Sequence, residues 1–213
     1  MIWLYCAILA YFLDALVFVI DKYLLARDIR NPNAYAFFVA MMSIFGLLLI
    51  PFGIVIPSVT GLIVALVSGV SFFAGLVFLY RAIQFVDITE VMPAIGALTA
   101  LATLAFSALI LPTHLSYLQV SAFALLVFGT GMMSYFHLSG EVLTDAIVCA
   151  VSLGFSFVTL KLFFGSTDFV NGLFWTRWGV VLGGFFCSRC LNHGGKFWAR
   201  FRGQVLKRRW YSF

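Results

Sequence analysis

Long apolar stretches alternate with short polar connections along most of this chain. Seven such stretches lie between residues 2 and 186, and most charged residues fall in or beside the gaps. An α-helix needs about 20 apolar residues to cross the hydrocarbon of a membrane, because each residue advances the helix by about 1.5 Å. The pattern therefore predicts seven transmembrane helices, over residues 2–20, 34–56, 61–80, 91–111, 115–136, 142–164 and 169–186.

The composition supports the same class of protein. Hydrophobic residues make up 63% and charged residues 10% of the chain, whereas a soluble domain carries about 25% charged residues. Membrane β-strands alternate apolar and polar positions, but residues 62–67 are apolar throughout. The first stretch has no preceding Lys or Arg and is interrupted by Asp14, which favours a retained helix over a cleaved signal peptide. We therefore predict an all-α polytopic membrane protein.

The basic residues are unevenly distributed. The net charge is +5, but seven of the thirteen Lys and Arg residues follow Cys187, and residues 1–187 carry six basic and eight acidic residues. With seven helices, the first and third connections and the C-terminal tail lie on one side of the membrane and hold all but two of the basic residues. Basic connections favour the cytoplasmic side, so we expect the N-terminus outside.

The sixth stretch repeats part of the first. At an offset of 139 residues, five of sixteen positions are identical, and Lys22 and Lys161 close the two stretches. Stretches one to five would then form one unit, and a second copy would begin at stretch six. An odd number of helices per unit inverts the second copy in the membrane, as in many secondary transporters. The other identities pair Ala7 with Ala146, Ile8 with Ile147, Phe18 with Phe157 and Val19 with Val158.

Several short motifs resemble those of one transporter family. The third stretch ends in Leu79-Tyr-Arg-Ala82, the polar turn Asp87-Ile-Thr-Glu90 follows, and Pro93 lies near the start of the fourth. The fifth begins with Leu115-Ser-Tyr-Leu-Gln119, and the seventh contains Phe174-Trp-Thr-Arg177. These motifs resemble the EamA family of the drug/metabolite transporter superfamily, whose members usually have ten helices in two five-helix repeats. The resemblance implies a transporter of small metabolites or drugs in a bacterial or archaeal plasma membrane.

The chain departs from the family pattern at two places. Residues 112–114 are Pro-Thr-His, where family members commonly carry a Gly-Glu pair. After Gly184 the hydrophobic pattern stops, and a basic, aromatic stretch replaces three expected helices. We therefore predict a first repeat over residues 1–137, two helices of a second repeat over 138–187 and a tail over 188–213. On this interpretation the chain is incomplete and transports little solute by itself.

The predicted tail permits several interpretations. Its basic and aromatic residues would suit an interfacial segment on anionic lipid, whereas no recognised motif supports binding to nucleic acid. Cys187, Cys190 and His193 offer three ligands where a structural zinc site uses four, so we predict no metal site. The interpretation that we favour is an interrupted or frame-shifted coding sequence, which would make the tail non-native.

Two charged residues lie inside predicted helices. Asp14 is near the middle of the first, where an unpaired carboxylate costs about 3 kcal/mol, so it should face a cavity or a partner. It could couple proton movement to transport, or it could be a neutral, hydrogen-bonded structural residue. Arg177, eight residues into the last helix, would suit an anionic or zwitterionic ligand, or could extend to the interface. Lys161 is expected to be an interfacial anchor.

Four further residues complete the candidate set. Arg81 and Glu90 are candidates for the substrate or ion pathway, although Asp87 and Glu90 have the spacing of a helix-capping box and Arg81 could pair with either. Pro51 removes a backbone hydrogen bond inside the second stretch, which predicts a kink. Pro93 is expected in the first turn of the fourth helix, where proline is tolerated.

The leading hypothesis is a transporter, with a receptor-like seven-helix protein or a non-transporting membrane protein as the alternative. A retinal protein needs a Schiff-base lysine in its last helix, and the seventh stretch has none. Catalysis is not expected, because His114, His137 and His193 are isolated from one another. We expect no cofactor and no nucleic-acid partner. The predicted partners are the lipid bilayer, an unidentified small solute and, as an open alternative, a second copy of the chain.

Overall fold

The computed structural model describes residues 2–27, 31–110, 117–134 and 140–192, and every regular element within these ranges is a helix. Each of the seven predicted stretches overlaps one α-helix, so the prediction of an all-α protein is confirmed. The second stretch changes from an α-helix to a 3₁₀ helix. The elements are α1 (Ile2–Arg27), α2 (Pro32–Met42), the 3₁₀ helix (Ser43–Phe52), α3 (Val59–Phe85), α4 (Ile88–Ile110), α5 (Tyr117–Ser134), α6 (Gly140–Phe164) and α7 (Phe169–Asn192).

Four of the described helices are long and apolar enough to cross a membrane, which identifies the chain as an integral membrane protein, as predicted. Helix α7 has 24 residues but is less apolar, because Asn171, Thr176 and Arg177 lie in its N-terminal half. Crossing by α2, α5 and α7 therefore stays a prediction. The four spans are Leu4–Leu25, Val59–Gln84, Ile88–Ile110 and Gly140–Phe164.

Helix α3 lies at the centre of the bundle. Helices α6 and α7 pack along it, α4 packs against α6 and α5, and α2 with the 3₁₀ helix packs against α3 and α7. Helix α1 touches the bundle sparingly, mainly through α3 and α4. Residues assigned to the two predicted repeats therefore share one core, while the duplication itself stays a prediction. Large side chains that are fully buried in this core include Phe163, Leu25, Ile83, Val91 and Val158.

Glycines bring α3 close to its neighbours. A Cβ atom on Gly69 would lie 2.2 Å from the carbonyl oxygen of Thr176, and one on Gly179 would lie 2.6 Å from a carbonyl oxygen of α3. A Cβ atom on Gly75 would lie 2.6 Å from the side chain of Leu153 on α6. Lipid is as apolar as the side chains, so close van der Waals contact between backbones is what favours helix association in a membrane.

Three prolines mark where helices begin or change geometry. Pro32 is the first residue of α2, and the side chain of Asn31 caps that helix by accepting a hydrogen bond from a backbone amide at 3.1 Å. Pro51 lies inside the 3₁₀ helix, and the change from α-helix to 3₁₀ helix begins at Ser43. A kink caused by Pro51 stays a prediction. Pro93 is the sixth residue of α4, one turn later than predicted, where it removes an internal hydrogen bond.

Polar residues gather at the two ends of the bundle. At the Asp21 end, the last turns of α1 and α3 meet the beginnings of α2 and α6. At the Asn171 end, the start of α3 meets the connection between α6 and α7. Helices α3, α6 and α7 therefore alternate in direction, as successive crossings would require. Which end faces the cytoplasm stays a prediction.

Helix α7 extends beyond its predicted end. It runs to Asn192, so Cys187 and the first five residues of the predicted tail are helical. Residues 193–213, including His193, lie outside the described residues, and the interpretations of the tail stay predictions. Residues 28–30, 111–116 and 135–139 also lie outside the described residues. Across the described ranges, no three His, Cys, Asp or Glu side chains are grouped to hold a metal ion.

Candidate functional site

Arg177 borders two cavities beside α7. The larger lies between α3, α6 and α7 and has a volume of about 80 Å³, and the smaller, of about 10 Å³, lies between α7 and the 3₁₀ helix. The Arg177 side chain is exposed, and a Cβ atom on Gly46 of the 3₁₀ helix would lie 3.5 Å from its Cβ. Other residues that line the larger cavity include Ser68, Phe72, Ser156, Phe157, Leu160 and Val180.

The hydroxyl groups that line the larger cavity already donate hydrogen bonds within the protein. Ser68 Oγ donates to the carbonyl oxygen of Ser156 at 2.9 Å, and Ser156 Oγ donates to the carbonyl oxygen of Ser68 at the same distance. Thr176 Oγ1 donates to the carbonyl oxygen of Gly172 at 2.8 Å. Arg177 makes no hydrogen bond or ion pair with any other described residue. Its guanidinium group is therefore available to a ligand.

A third cavity opens at the Asn171 end. Its volume is about 350 Å³, and it lies between the chain that precedes α3 and the connection between α6 and α7. This cavity is more polar than the one beside Arg177, and Asp168 gives it an exposed carboxylate. Its polar lining residues are Ser58, Ser166, Thr167, Asp168 and Asn171.

Side chains of α7 hold the non-helical chain that precedes α3. The Val55 amide donates to Asn171 Oδ1 at 2.8 Å, and the Val55 carbonyl oxygen accepts a hydrogen bond from Trp175 Nε1 at 3.1 Å. Residues 54–58 have no helical geometry, and unsatisfied backbone groups are costly in a membrane. Helix α7 therefore fixes one wall of the polar cavity through Asn171 and Trp175, whereas Arg177 lies on another face of the same helix.

The Asp21 end contains a buried acidic residue. Asp21 is 6% exposed, and its Oδ1 accepts a hydrogen bond from the Tyr35 hydroxyl at 2.5 Å. The ring of Tyr80, on α3, packs against that of Tyr35. The two tyrosine rings meet edge to face with centroids 4.8 Å apart. The carboxylate thus joins α1 to α2, and the ring contact extends the cluster to α3.

Lys22 attaches α1 to the end of α3. Its Nζ donates to the carbonyl oxygens of Ile83 and Val86, at 2.6 and 2.7 Å. These oxygens belong to the last turn of α3 and the residue that follows it, where helical partners run out and a positive charge is favoured. Lys161, its partner in the proposed repeat, is exposed at the end of α6. The two lysines therefore have different environments.

Arg81 pairs with a residue that the sequence analysis did not consider. Its Nε lies 3.4 Å from Asp145 Oδ2 on α6, and its guanidinium carbon lies 5.2 Å from the centre of the Phe78 ring. Asp87 and Glu90 were the two partners that the sequence offered. The ion pair instead links α3 to α6, because both helices have one end at the Asp21 end of the bundle. The Arg81 side chain is 45% exposed. The ion pair therefore lies at the surface and contributes little to stability.

Two further predicted site residues are Asp14 and Glu90. Asp14 is exposed in the middle of α1 and lines none of the three cavities described above. Glu90 is in the first turn of α4, where its amide donates to the carbonyl oxygen of Asp87 at 3.1 Å. That bond is a backbone contact, so it adds no support for a side-chain capping box. A transport role for Asp14 or Glu90 stays a prediction.

Sequence analysis did not identify Asp21 as a candidate. Asp21 precedes Lys22 at the charged end of the first stretch, where acidic and basic residues are expected at the membrane surface. The available signal was a tyrosine near the start of the second stretch and another at the end of the third, Tyr35 and Tyr80. In an up-and-down bundle, both positions lie at the same end as Asp21.

The described fold thus defines an α-helical integral membrane protein with a cationic cavity and a buried acidic cluster. Compared with known proteins, the chain matches no protein-family model, no curated protein and no solved structure. The resemblance to the EamA family is therefore carried by the short motifs alone, and it enters the function below as a hypothesis.

Proposed function

We propose that this chain acts as a transporter of small organic solutes, similar to the EamA family, and that Arg177 binds an acidic group of the solute. The observation that carries the proposal is the exposed Arg177 side chain, without a partner among the described residues, at the edge of two cavities in a membrane protein. Charged residues within membrane proteins commonly mark substrate pathways.

The chemistry of the larger cavity favours an amphipathic acid. A guanidinium group presents a planar set of donors that matches a carboxylate or phosphate through two parallel hydrogen bonds. Around Arg177 the wall is apolar, with the rings of Phe72 and Phe157 and the side chains of Leu160 and Val180. A small carboxylate with an aromatic or branched apolar group would therefore place its charge on Arg177 and its apolar group between α3 and α6.

The polar cavity at the Asn171 end supplies a route of approach. On α3, Gly61 lines that cavity and Ser68 lines the cavity of about 80 Å³ beside Arg177. Seven residues along a helix correspond to about 10 Å and nearly two full turns, so the two cavities border the same face of α3, and a solute in the polar cavity is within a short movement of the guanidinium group. The motif resemblance and the apparent repeat support transport as the purpose of this route.

The test is solute binding by the full chain in lipid vesicles, with a radiolabelled panel of small aromatic and branched aliphatic carboxylates. Arg177→Gln should weaken binding of the best ligand by about 10- to 100-fold, the loss expected for hydrogen bonds to a charged group. Arg177→Lys should bind between the two, because it keeps the charge and loses the paired donors. Lys161→Gln removes an exposed charge elsewhere and should bind like the parent.

Flux measured in the same vesicles separates transport from binding. Exchange of bound for external solute, lost with Arg177→Gln, would support a transporter. Binding that depends on Arg177 without any exchange would instead favour the receptor-like or otherwise non-transporting alternative. Equal binding by the parent and Arg177→Gln would contradict the role given to this residue.

A further inference from the structure

The polar cavity at the Asn171 end is bordered by a carboxylate that the fold does not use. Asp168 lies directly before α7, a position from which an aspartate commonly caps a helix by accepting a hydrogen bond from a backbone amide. The carbonyl oxygen of Asp168 accepts from the Gly172 amide at 2.9 Å, but its carboxylate accepts no hydrogen bond from any described residue. By contrast, the Asn31 side chain caps α2. The Asp168 carboxylate is therefore available to a ligand.

No cation neutralises this carboxylate within the described part of the chain. Lys161, near the end of α6, forms no ion pair with Asp168. Arg177 is nine residues further along α7, which corresponds to about 13 Å along the helix, and it borders the other two cavities. The residues that line the polar cavity include no Lys or Arg. The cavity thus carries an uncompensated negative charge.

Two hydroxyl groups beside Asp168 can only accept hydrogen bonds from a ligand. Thr167 Oγ1 donates to the carbonyl oxygen of Phe163 at 2.8 Å, and Ser166 Oγ donates to the same oxygen at 3.0 Å. A hydroxyl group has one hydrogen, so each oxygen has lone pairs alone left to offer. Both residues line the cavity. Together with the carboxylate, they make this wall a set of acceptors.

The other polar lining residues are committed to the fold. Asn171 Oδ1 accepts from the Val55 amide at 2.8 Å, and Ser58 Oγ accepts from the Gly61 amide at 3.3 Å. These bonds hold the chain that precedes α3 and the first turn of that helix. Ligand chemistry in the cavity therefore falls to the acceptors that follow α6.

We propose that the polar cavity binds the ammonium group of a small organic amine, with Asp168 as its counter-ion and the hydroxyl oxygens of Ser166 and Thr167 as further acceptors. An ammonium group has up to three donors and no acceptor, which matches this set, and its hydrogen bonds to a carboxylate are strong. A cavity of about 350 Å³ is in the size range of sites for small organic ligands. Val55 and Pro57 supply an apolar wall for the carbon chain.

This site is distinct from Arg177 and does not depend on the proposed transport of an acid. An acidic solute that entered through the polar cavity would meet the Asp168 carboxylate, and a bound ammonium group would remove that repulsion. Only this consequence rests on the proposed function. The two sites can therefore be tested separately.

The test is equilibrium binding of radiolabelled propylamine to the full chain in phosphatidylcholine vesicles at neutral pH, with protein-free vesicles as the blank. Asp168→Asn should weaken binding by about 10- to 100-fold, the loss expected for hydrogen bonds to a charged group. Asparagine is as well suited as aspartate to the position before a helix, so α7 should be retained.

The matched control is Asp87→Asn. Asp87 is also exposed and also directly precedes a helix, α4, but it lines none of the three cavities. It should bind propylamine like the parent. Thr167→Val removes one neutral acceptor and should weaken binding by about fivefold. Arg177→Gln should leave propylamine binding unchanged, so a failure of this proposal is distinguishable from a failure of the proposed acid site.

Two competitors identify the ligand. Sodium chloride at the concentration of the amine should displace little propylamine, and full displacement by sodium would contradict an organic amine as the ligand. Phosphatidylethanolamine added to the vesicles tests a lipid head group as the source of the ammonium group. Weaker propylamine binding by the parent in those vesicles would support the site and assign it to lipid, whereas unchanged binding would support a free amine. Equal binding by the parent and Asp168→Asn, or equal losses in Asp168→Asn and Asp87→Asn, would overturn the proposal.

Discussion

Helices α1 and α3 are both apolar enough to cross a membrane, yet they occupy different positions in the molecule. Helix α3 is at the centre and α1 is at the edge. The difference lies in the residues that are not strongly apolar. Helix α3 carries glycines where α6 and α7 approach, whereas α1 contains no glycine at all. Apolar character places a helix in the membrane, and small or polar residues decide what it packs against.

The polar contacts show the same contrast. In the middle of the bundle, Ser68 and Ser156 exchange hydrogen bonds between α3 and α6, and Ser71 Oγ donates to the carbonyl oxygen of Ser152 at 3.1 Å. Among the described contacts of α1, the corresponding bonds lie near its C-terminal end, at Asp21 and Lys22. The core is thus held along its length and α1 at one point.

The largest effect is expected from filling the contact between α3 and α7. Gly179→Val would drive a side chain into backbone atoms of α3, since even a Cβ atom would lie 2.6 Å from a carbonyl oxygen. We expect a loss of about 3 kcal/mol in the free energy of unfolding, the upper range for overpacking. Denaturation in mixed micelles, followed by circular dichroism, would measure it.

The matched control for that substitution is Gly96→Val. Gly96 is a helical glycine on α4, and a Cβ atom there would have no neighbour within 4 Å. It should unfold within about 0.5 kcal/mol of the parent, as expected for a surface substitution. Equal losses for the two variants would contradict the close contact at Gly179.

A smaller and local effect is expected at the attachment of α1. Lys22→Met removes two hydrogen bonds to carbonyl oxygens of α3 and should weaken the docking of α1 by about 2 kcal/mol. Limited proteolysis of the connection between α1 and α2 should then become faster, while unfolding of the core changes little. Lys161→Met, at the exposed lysine of α6, should leave proteolysis there unchanged. Faster cleavage in both variants would argue against a specific role for Lys22.

The helices could be predicted from the sequence because hydropathy alone specifies them. All seven predicted stretches overlap helices, and the largest differences are at ends with polar residues. The first stretch was ended at residue 20, but α1 continues through Asp21 and Lys22 to Arg27 because these side chains find partners on other helices. The seventh likewise continues to Asn192.

The sites were less predictable, because they depend on contacts between distant residues. Arg177 was identified, since a lone charge within an apolar stretch is visible in the sequence. The partner of Arg81 is 64 residues away on α6, and no spacing rule along the chain connects them. Asp14 was selected because it lies near the middle of the first stretch. It is exposed because α1 packs little against the other helices. To predict that Asp21 is buried, one would need to know that α1, α2 and α3 meet at this end of the bundle.

The most direct test of the contrast between the core and α1 is a disulfide across α3 and α6. Ser68 Oγ and Ser156 Oγ lie 3.3 Å apart in the buried core. In a chain without native cysteines, Ser68→Cys with Ser156→Cys should cross-link under mild oxidation in vesicles. Ser68→Cys with Val151→Cys, on the exposed face of α6, should not. A cross-link in the second pair and none in the first would contradict the packing of α3 on α6 and the cavity that depends on it.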